Sequence, residues 1–160
     1  MFYPVPGDLA LPDHAVLPAY AELHCLSNYS FLRGASSPDD LVRRAAVLSY
    51  SGLAITDECS FSGVVRAHVA AKAVGLPLII GTEIRLTDDT RLVLLATDRD
   101  SYGNLSELIT KARRRASKGR YILSREDLDA AYLKALPGCL ALLVPALPPK
   151  NNDTDDDIDI

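Results

Sequence analysis

The sequence predicts an α/β domain built on a largely parallel sheet, and three observations predict it. Short apolar runs alternate with amphipathic stretches in the order strand, helix, strand, helix, strand, a pattern that returns the chain to the sheet through crossover helices. The expected helix ends carry capping chemistry, with Ser37-Pro38-Asp39-Asp40 opening one helix and Gly75 closing another. His24, the pair Asp57 and Glu58, and Glu83 all fall at or just beyond the C-terminal ends of expected strands. That is the side on which parallel α/β sheets and barrels gather functional groups.

Taken in order, residues 1 to 19 hold four prolines and are expected to form an extended arm. Ala21 to Cys25 reads as a short buried strand. Ser37 then supplies an N-cap, Pro38 a first helical position that needs no amide donor, and Asp39 and Asp40 carboxylates for the positive end of the helix dipole. This helix is expected to run to about Ser49 with Leu41, Ala45 and Leu48 inward. Gly52 to Thr56 is a second strand, Phe61 to Val74 a second helix, and Leu76 to Ile80 a third strand. Glu83 to Leu86 and Leu92 to Ala96, parted by a segment containing Asp88-Asp89-Thr90, read as a short β-hairpin. Tyr102 to about Arg115 is a third helix, Ser124-Arg125-Glu126-Asp127 opens a fourth, and Cys139 to Val144 returns to strand.

With 160 residues and 48% hydrophobic content the chain supports one substantial core. Five of its 21 acidic residues crowd the last eight positions, and without the final ten residues 17 basic groups face 16 acidic ones. A near-neutral body does not suit a protein that wraps nucleic acid by bulk charge. One cluster stands out: Lys111, Arg113, Arg114, Arg115, Lys118 and Arg120 place six cations in ten residues. Helical spacing would set Lys111, Arg114 and Arg115 on one face as a phosphate-facing strip, while the plainer reading is a solvated helix end whose cations suit the dipole. Residues 148 to 160 are polar and self-repelling, and are expected to be a disordered acidic tail; the glycine turn and closing glutamate of a calcium loop are missing there.

Three cysteines without repeated spacing give neither a disulfide framework nor a zinc knuckle, which fits a reducing cytoplasm. No signal peptide or membrane anchor is read at the N-terminus, and no apolar run is long enough to span a bilayer. His14, in the arm, and His68, on an alanine-rich helix face, are expected to be structural or solvated. Cys59 has no activating histidine or cation beside it in sequence. No hydrolase triad, Walker A loop or dinucleotide fingerprint is present.

The segment Glu22-Leu23-His24-Cys25-Leu26-Ser27-Asn28-Tyr29-Ser30-Phe31-Leu32-Arg33-Gly34-Ala35 resembles the opening of the PHP (polymerase and histidinol phosphatase) domain of bacterial DNA polymerase alpha subunits, where the family carries His-x-His and then Leu-Asp-Gly-Ala. The likeness continues through Leu53-Ala54-Ile55-Thr56-Asp57-Glu58-Cys59-Ser60, Ile80-Gly81-Thr82-Glu83, Arg91-Leu92-Val93-Leu94-Leu95-Ala96 and Tyr102-Gly103-Asn104-Leu105-Ser106-Glu107-Leu108. The forms Thr-Asp-Glu-Cys-Ser and Cys-Leu-Ser-Asn-Tyr-Ser-Phe-Leu-Arg-Gly-Ala are most similar to the error-prone, translesion-associated branch. The resemblance implies a partial PHP-type distorted barrel of seven strand–helix units, here an incomplete domain over residues 20 to 147 supplying the first five to six strands. It also implies an N-terminal piece of a polymerase subunit that lacks the nucleotidyl-transfer residues and is inactive alone.

In the family two or three divalent metals sit among His, Asp and Glu, where they activate water and neutralise phosphate. The first six ligand places match His24, Leu26, Arg33, Glu58, Glu83 and Arg91, and two of the six keep the family's residue type. Leu26 has no donor atom, and the guanidinium groups of Arg33 and Arg91 stay charged. A fixed positive charge about 6 Å from a divalent ion costs roughly 5 kcal/mol at an effective dielectric of about 20. No cofactor is therefore expected. Arg33 and Arg91 are expected to replace the metals and pair with Asp57, Glu58 and Glu83, leaving His24 as a satisfied, half-buried histidine.

The resemblance thus implies a structural module that braces a polymerase, with the rest of the subunit, translesion factors and, in the full-length context, DNA as partners. The alternatives are a metal-dependent phosphoesterase or 3'-5' exonuclease using His24, Asp57, Glu58 and Glu83 on zinc or manganese, and a nucleic-acid-binding module working through the Lys111 to Arg120 strip. A barrel missing its later strands is expected to be marginally stable, or to self-associate through its open sheet edge.

Overall fold

The computed structural model describes residues 19–128 and 138–145. The expected extended arm, save its last residue, and with it His14, lies outside the described residues, as does the expected acidic tail. Five strands form one mixed sheet in chain order: β1 (Ala21–Cys25), β2 (Gly52–Ile55), β3 (Leu78–Arg85), β4 (Arg91–Ala96) and β5 (Cys139–Val144). β1, β2 and β3 run parallel, and β4 and β5 add antiparallel. The crossovers of the parallel half are α1 (Pro38–Val47) and α2 (Val64–Val74); α3 (Arg99–Arg114) follows β4, and a short turn, α4 (Arg125–Asp127), follows α3.

Capping explains where the helices start and stop. The Ser37 hydroxyl accepts from the Asp40 amide at the head of α1, and Asp98 and Ser101 form a reciprocal capping box on α3. Ser124 and Asp127 repeat that box on α4. Gly75 ends α2 in the left-handed region at φ 71°, where a side chain would be strained.

Packing departs from the sequence expectation in four places. In α1 the buried residues are Pro38, Val42 and Ala45, and Leu41 packs half-buried beside them; of the predicted stripe only Leu48 departs, as the exposed C-cap, and Val42 joins the inward face. α2 begins at Val64 rather than Phe61, and α3 begins at Arg99 rather than Tyr102, because Asp98 captures the chain three residues earlier. The predicted third strand and the first arm of the hairpin are one continuous strand. β3 pairs with β2 through Leu78, Ile79 and Ile80 and with β4 from Ile80 to Arg85. Gly81 makes this possible not through a special backbone angle but through space. A Cβ there would stand 2.6 Å from a Leu95 methyl and 2.7 Å from the Leu94 carbonyl oxygen.

The helices cover one face of the sheet in two clusters. Val42, Ala45, Leu53, Ile55, Ala67 and Ala71 pack beneath α1 and α2, and Ile84, Leu94, Leu105, Leu108, Ala112 and Leu123 pack beneath α3. On the other face Ala54, Val93 and Leu95 are buried by Leu23, Ile79, Leu142 and Val144. A bulge in β1 decides which side chains reach that face. Between the pairs Glu22–Leu53 and Cys25–Ile55 the first strand carries one more residue than the second. Leu23 consequently joins the Ala54 cluster, Cys25 joins the opposite one, and the His24 amide is taken by Glu22 Oε1 at 2.9 Å.

Among the described residues β1 and β5 are the sheet edges. β5 is uncharged, and its Leu140 and Leu143 are 59% and 68% exposed. Within the same residues no helix is long and apolar enough to cross a membrane.

Candidate functional site: a carboxylate pocket filled by a guanidinium

Beyond β2 the chain continues beside β3 without forming a ladder. Thr56 accepts from the Glu83 amide, the Cys59 amide bonds back to Glu83, and Glu58 and Glu83 form an isolated bridge. This brings Glu83 of β3 and Glu58, just beyond β2, to one spot at the end of the parallel sheet. Glu83 is fully buried, and its carboxylate takes two donors from Arg33, with Nη1 at 2.5 Å from Oε1 and Nη2 at 3.1 Å from Oε2. The same Nη1 lies 2.8 Å from Glu58 Oε2. His24 Nε2 meets Glu83 Oε2 at 2.7 Å, and Tyr121 donates to Glu58 Oε1 at 2.9 Å.

Burial pushes the Glu83 carboxyl up, and Arg33 followed by His24 more than offset it, so the group sits below its usual range. The Glu83 hydrogen bond in turn holds the Arg33 guanidinium even more firmly protonated than usual, against burial and with help from Glu58. Burial comes first for Tyr121 too, and the neighbouring Glu58 carboxylate adds to it, keeping the phenol neutral.

Asp57 stands next to this pocket but is engaged elsewhere. It is 1% exposed and accepts from the Ser27 amide at 2.8 Å, the Ser27 hydroxyl at 2.7 Å and the Ser30 hydroxyl at 2.7 Å. Ser30 in turn accepts from the Glu58 amide at 2.9 Å. Asp57 therefore ties the loop after β1 to the end of β2. Gly34 lets that loop close: a Cβ on it would fall 1.9 Å from the Ser27 carbonyl oxygen.

Of the residues singled out in the sequence, His24, Arg33, Glu58 and Glu83 meet in one place, and Asp57 is turned away from Arg33. Arg91 opens β4 opposite Arg85, and no ion pair or hydrogen bond joins its side chain to Glu58 or Glu83. Leu26 is half-buried, and His68 is exposed. Cys59 is 2% exposed with its thiol pushed up to about 11 by burial, which leaves too little thiolate for nucleophilic work at neutral pH.

The basic strip is divided. Lys111 pairs with Glu107, and Arg115 pairs with Asp127. Arg113 turns inward to the carbonyls of Cys59 and Glu58, at 3.1 Å each, and lies over the Tyr121 ring. Arg114, Lys118 and Arg120 are exposed.

The chain matches the model of the PHP domain over residues 22–147. This chain belongs to the PHP domain family. Its PHP domain is 58% identical over 138 residues to the error-prone DNA polymerase of Dechloromonas aromatica (strain RCB), covering 86% of this chain and 13% of that protein. It is 59% identical over 128 residues to the error-prone DNA polymerase of Aromatoleum aromaticum, covering 79% and 12%. The chain thus spans about an eighth of the length of these relatives. Among solved structures, a metal-dependent phosphoesterase from Bifidobacterium adolescentis aligns with a TM-score of 0.50 at 25% identity, over 75% of this chain and 44% of that one. An amidohydrolase from Chromobacterium violaceum aligns with a TM-score of 0.51 at 28% identity, over 60% and 34%. Five strands of the mixed sheet are accordingly a partial PHP-type barrel.

The donor set does not fit the metals that this family implies. Arg33 occupies both oxygens of Glu83 and one of Glu58, Asp57 has spent both of its own on Ser27 and Ser30, and Leu26 offers no donor. Among the described residues no three His, Cys, Asp or Glu side chains are grouped to hold a cation. Coordination would require expelling a charged guanidinium that already balances the carboxylates.

Proposed function

We propose that this PHP domain is a structural module of an error-prone type of DNA polymerase, in which an internal guanidinium has taken the place of metal and no hydrolysis occurs. The observation that carries the reading is Arg33 seated on both oxygens of the buried Glu83 while also pairing with Glu58. A phosphoesterase needs a cation at that point to generate hydroxide and to neutralise phosphate charge. Here the same carboxylates pin the β1–α1 loop to β2 and β3, which stiffens the end of the sheet. The rest of the polymerase is the partner that the module braces, in a cytoplasmic assembly that includes DNA and translesion factors.

Two measurements test this reading. Elemental analysis of the purified chain is expected to find far less than one equivalent of zinc or manganese, and treatment with a chelator is expected to leave the melting temperature unchanged. Stoichiometric metal, or a clear fall in melting temperature on chelation, would overturn the proposal. In isolation the apolar edge of β5 is proposed to pair with a second copy of itself. Sedimentation velocity should then show concentration-dependent association that Leu143→Lys suppresses, and a strictly monomeric chain at all concentrations would refute the pairing.

A further inference from the structure

α2 is apolar on the side that faces away from the sheet as well as on the side that packs against it. Val64, Ala67 and Ala71 are its buried residues, yet Val65 and Val69 are 73% and 64% exposed. Of its 11 residues only Arg66, His68 and Lys72 are polar. A surface helix ordinarily carries charge along its outward face, and one that is apolar all round is covered on both sides. Valine is also a weaker helix former than the alanine or lysine that such a face usually presents. No packing among the described residues covers the outward valines.

The stripe opens into a shallow groove of about 450 Å³ beside α1, lined by Val65, Val69, Ala70, Ala73 and Val74. Its α1 side is Asp39 and Arg43, with Arg66 reaching across from α2. Asp39 serves both guanidiniums, Oδ1 at 2.7 Å from Arg66 and Oδ2 at 3.2 Å from Arg43, so within the groove one carboxylate answers two cations. Arg43 finds a second carboxylate in Asp40, outside the groove. Each guanidinium carries five donors, more than these contacts use. Helical spacing puts His68 and Lys72 on the other border of the stripe, one turn apart. Both are exposed, and neither forms an ion pair among the described residues.

An apolar stripe with cations on both borders is complementary to a helix whose own apolar stripe is bordered by carboxylates. A second copy of α2 is not complementary. Arg66 and Lys72 are each three residues from Val69, so two antiparallel copies crossing at Val69 would face cation to cation, and parallel copies would do the same.

We propose that the outer face of α2, with the neighbouring edge of α1, is a docking site for an amphipathic helix of a partner protein, apolar at i, i+3, i+4 and i+7 and bordered by Asp or Glu. The site uses no residue of the Arg33 pocket, so it stands whether or not that pocket has lost its metal.

The probe is a synthetic helix of about 18 residues with leucine at those positions and glutamate on both borders, together with a twin carrying lysine in place of glutamate. Anisotropy of the labelled peptides should show saturable binding of the glutamate helix and about tenfold weaker binding of the lysine helix. Val69→Gln should weaken the glutamate helix by about tenfold. Arg66→Glu combined with Lys72→Glu should reverse the order of the two peptides, which separates recognition of the borders from unspecific apolar contact. All three positions are exposed, so circular dichroism should report an unchanged fold. Equal binding of the two peptides, no binding of either, or binding unmoved by Val69→Gln would each overturn the site. Two other occupants would overturn it as well. Self-association that persists in Leu143→Lys and disappears on adding Val69→Gln assigns the face to a second copy. Tighter peptide binding when Asp155, Asp156 and Asp157 are replaced by Asn assigns it to the chain's own acidic residues.

Discussion

Replacing Arg33 by methionine is expected to destabilise the domain by about 3 kcal/mol and to lower its melting temperature by about 10 °C. Among the described residues the substitution leaves Glu83, fully buried, with His24 as its one remaining side-chain partner, and removing one member of a buried pair costs more than the pair itself contributes. About a third of the Arg33 side chain is exposed, which places the effect at the lower end of the range for such pairs. Adding Glu83→Gln should recover a large part of the loss, because the stranded charge is then gone; thermal melts of the single and double variants measure the coupling. If Arg33→Met melted like the unsubstituted chain, the guanidinium would not be structural.

The pH dependence of this variant provides a second handle. The folded Glu83 carboxyl lies below its ordinary value, so the unfolded chain takes up its proton first as pH falls through about 4.3. The stability linked to that group is therefore present above about pH 4.3 and is lost as pH drops through the lower folded value. Without Arg33 this contribution disappears. The gap in stability between the two proteins should then narrow as pH is lowered from about 5 to about 3.

Asp57→Ala is expected to be the other severe change, costing about 3 to 5 kcal/mol. It orphans the Ser27 amide and two hydroxyls, all at or near fully buried positions, and releases the loop that carries Arg33. Asp57→Asn retains the shape but only one accepting oxygen, and should fall between the two. Chemical denaturation distinguishes this role from that of a metal ligand. A tether residue changes the unfolding midpoint with or without added manganese, whereas a ligand would change it only when metal is present.

Much of the architecture could be read from local signals. Ser37-Pro38 and Gly75 mark helix ends by chemistry that acts within four residues, and Cys139 to Val144, a run of apolar residues, is β5 as expected. The Asp98 cap was equally local: Asp98-x-x-Ser101 is a capping box, and it sets the start of α3 ahead of the helical periodicity. What stayed hidden depends on distance in sequence. Gly81 reads as a break, yet it continues β3 because Leu94 and Leu95 press against it from the next strand. At the site, the ligand places that the resemblance marks, kept at His24 and Glu83 and changed at Arg33 and Glu58, identified these residues together. Nothing local distinguishes Arg33, which reaches the pocket, from Arg91, which no ion pair among the described residues draws in. Tyr121 closes on Glu58 across 63 residues, and Ser27 and Ser30 claim Asp57 from outside its own segment.

The additional residue in β1 makes the length of that strand matter as much as its composition. Deleting His24 would restore strict alternation and remove the side chain that now reaches Glu83. Insertions and deletions there should be far less tolerated than substitutions, even though the segment lies at the rim of the sheet, where changes in length are ordinarily absorbed.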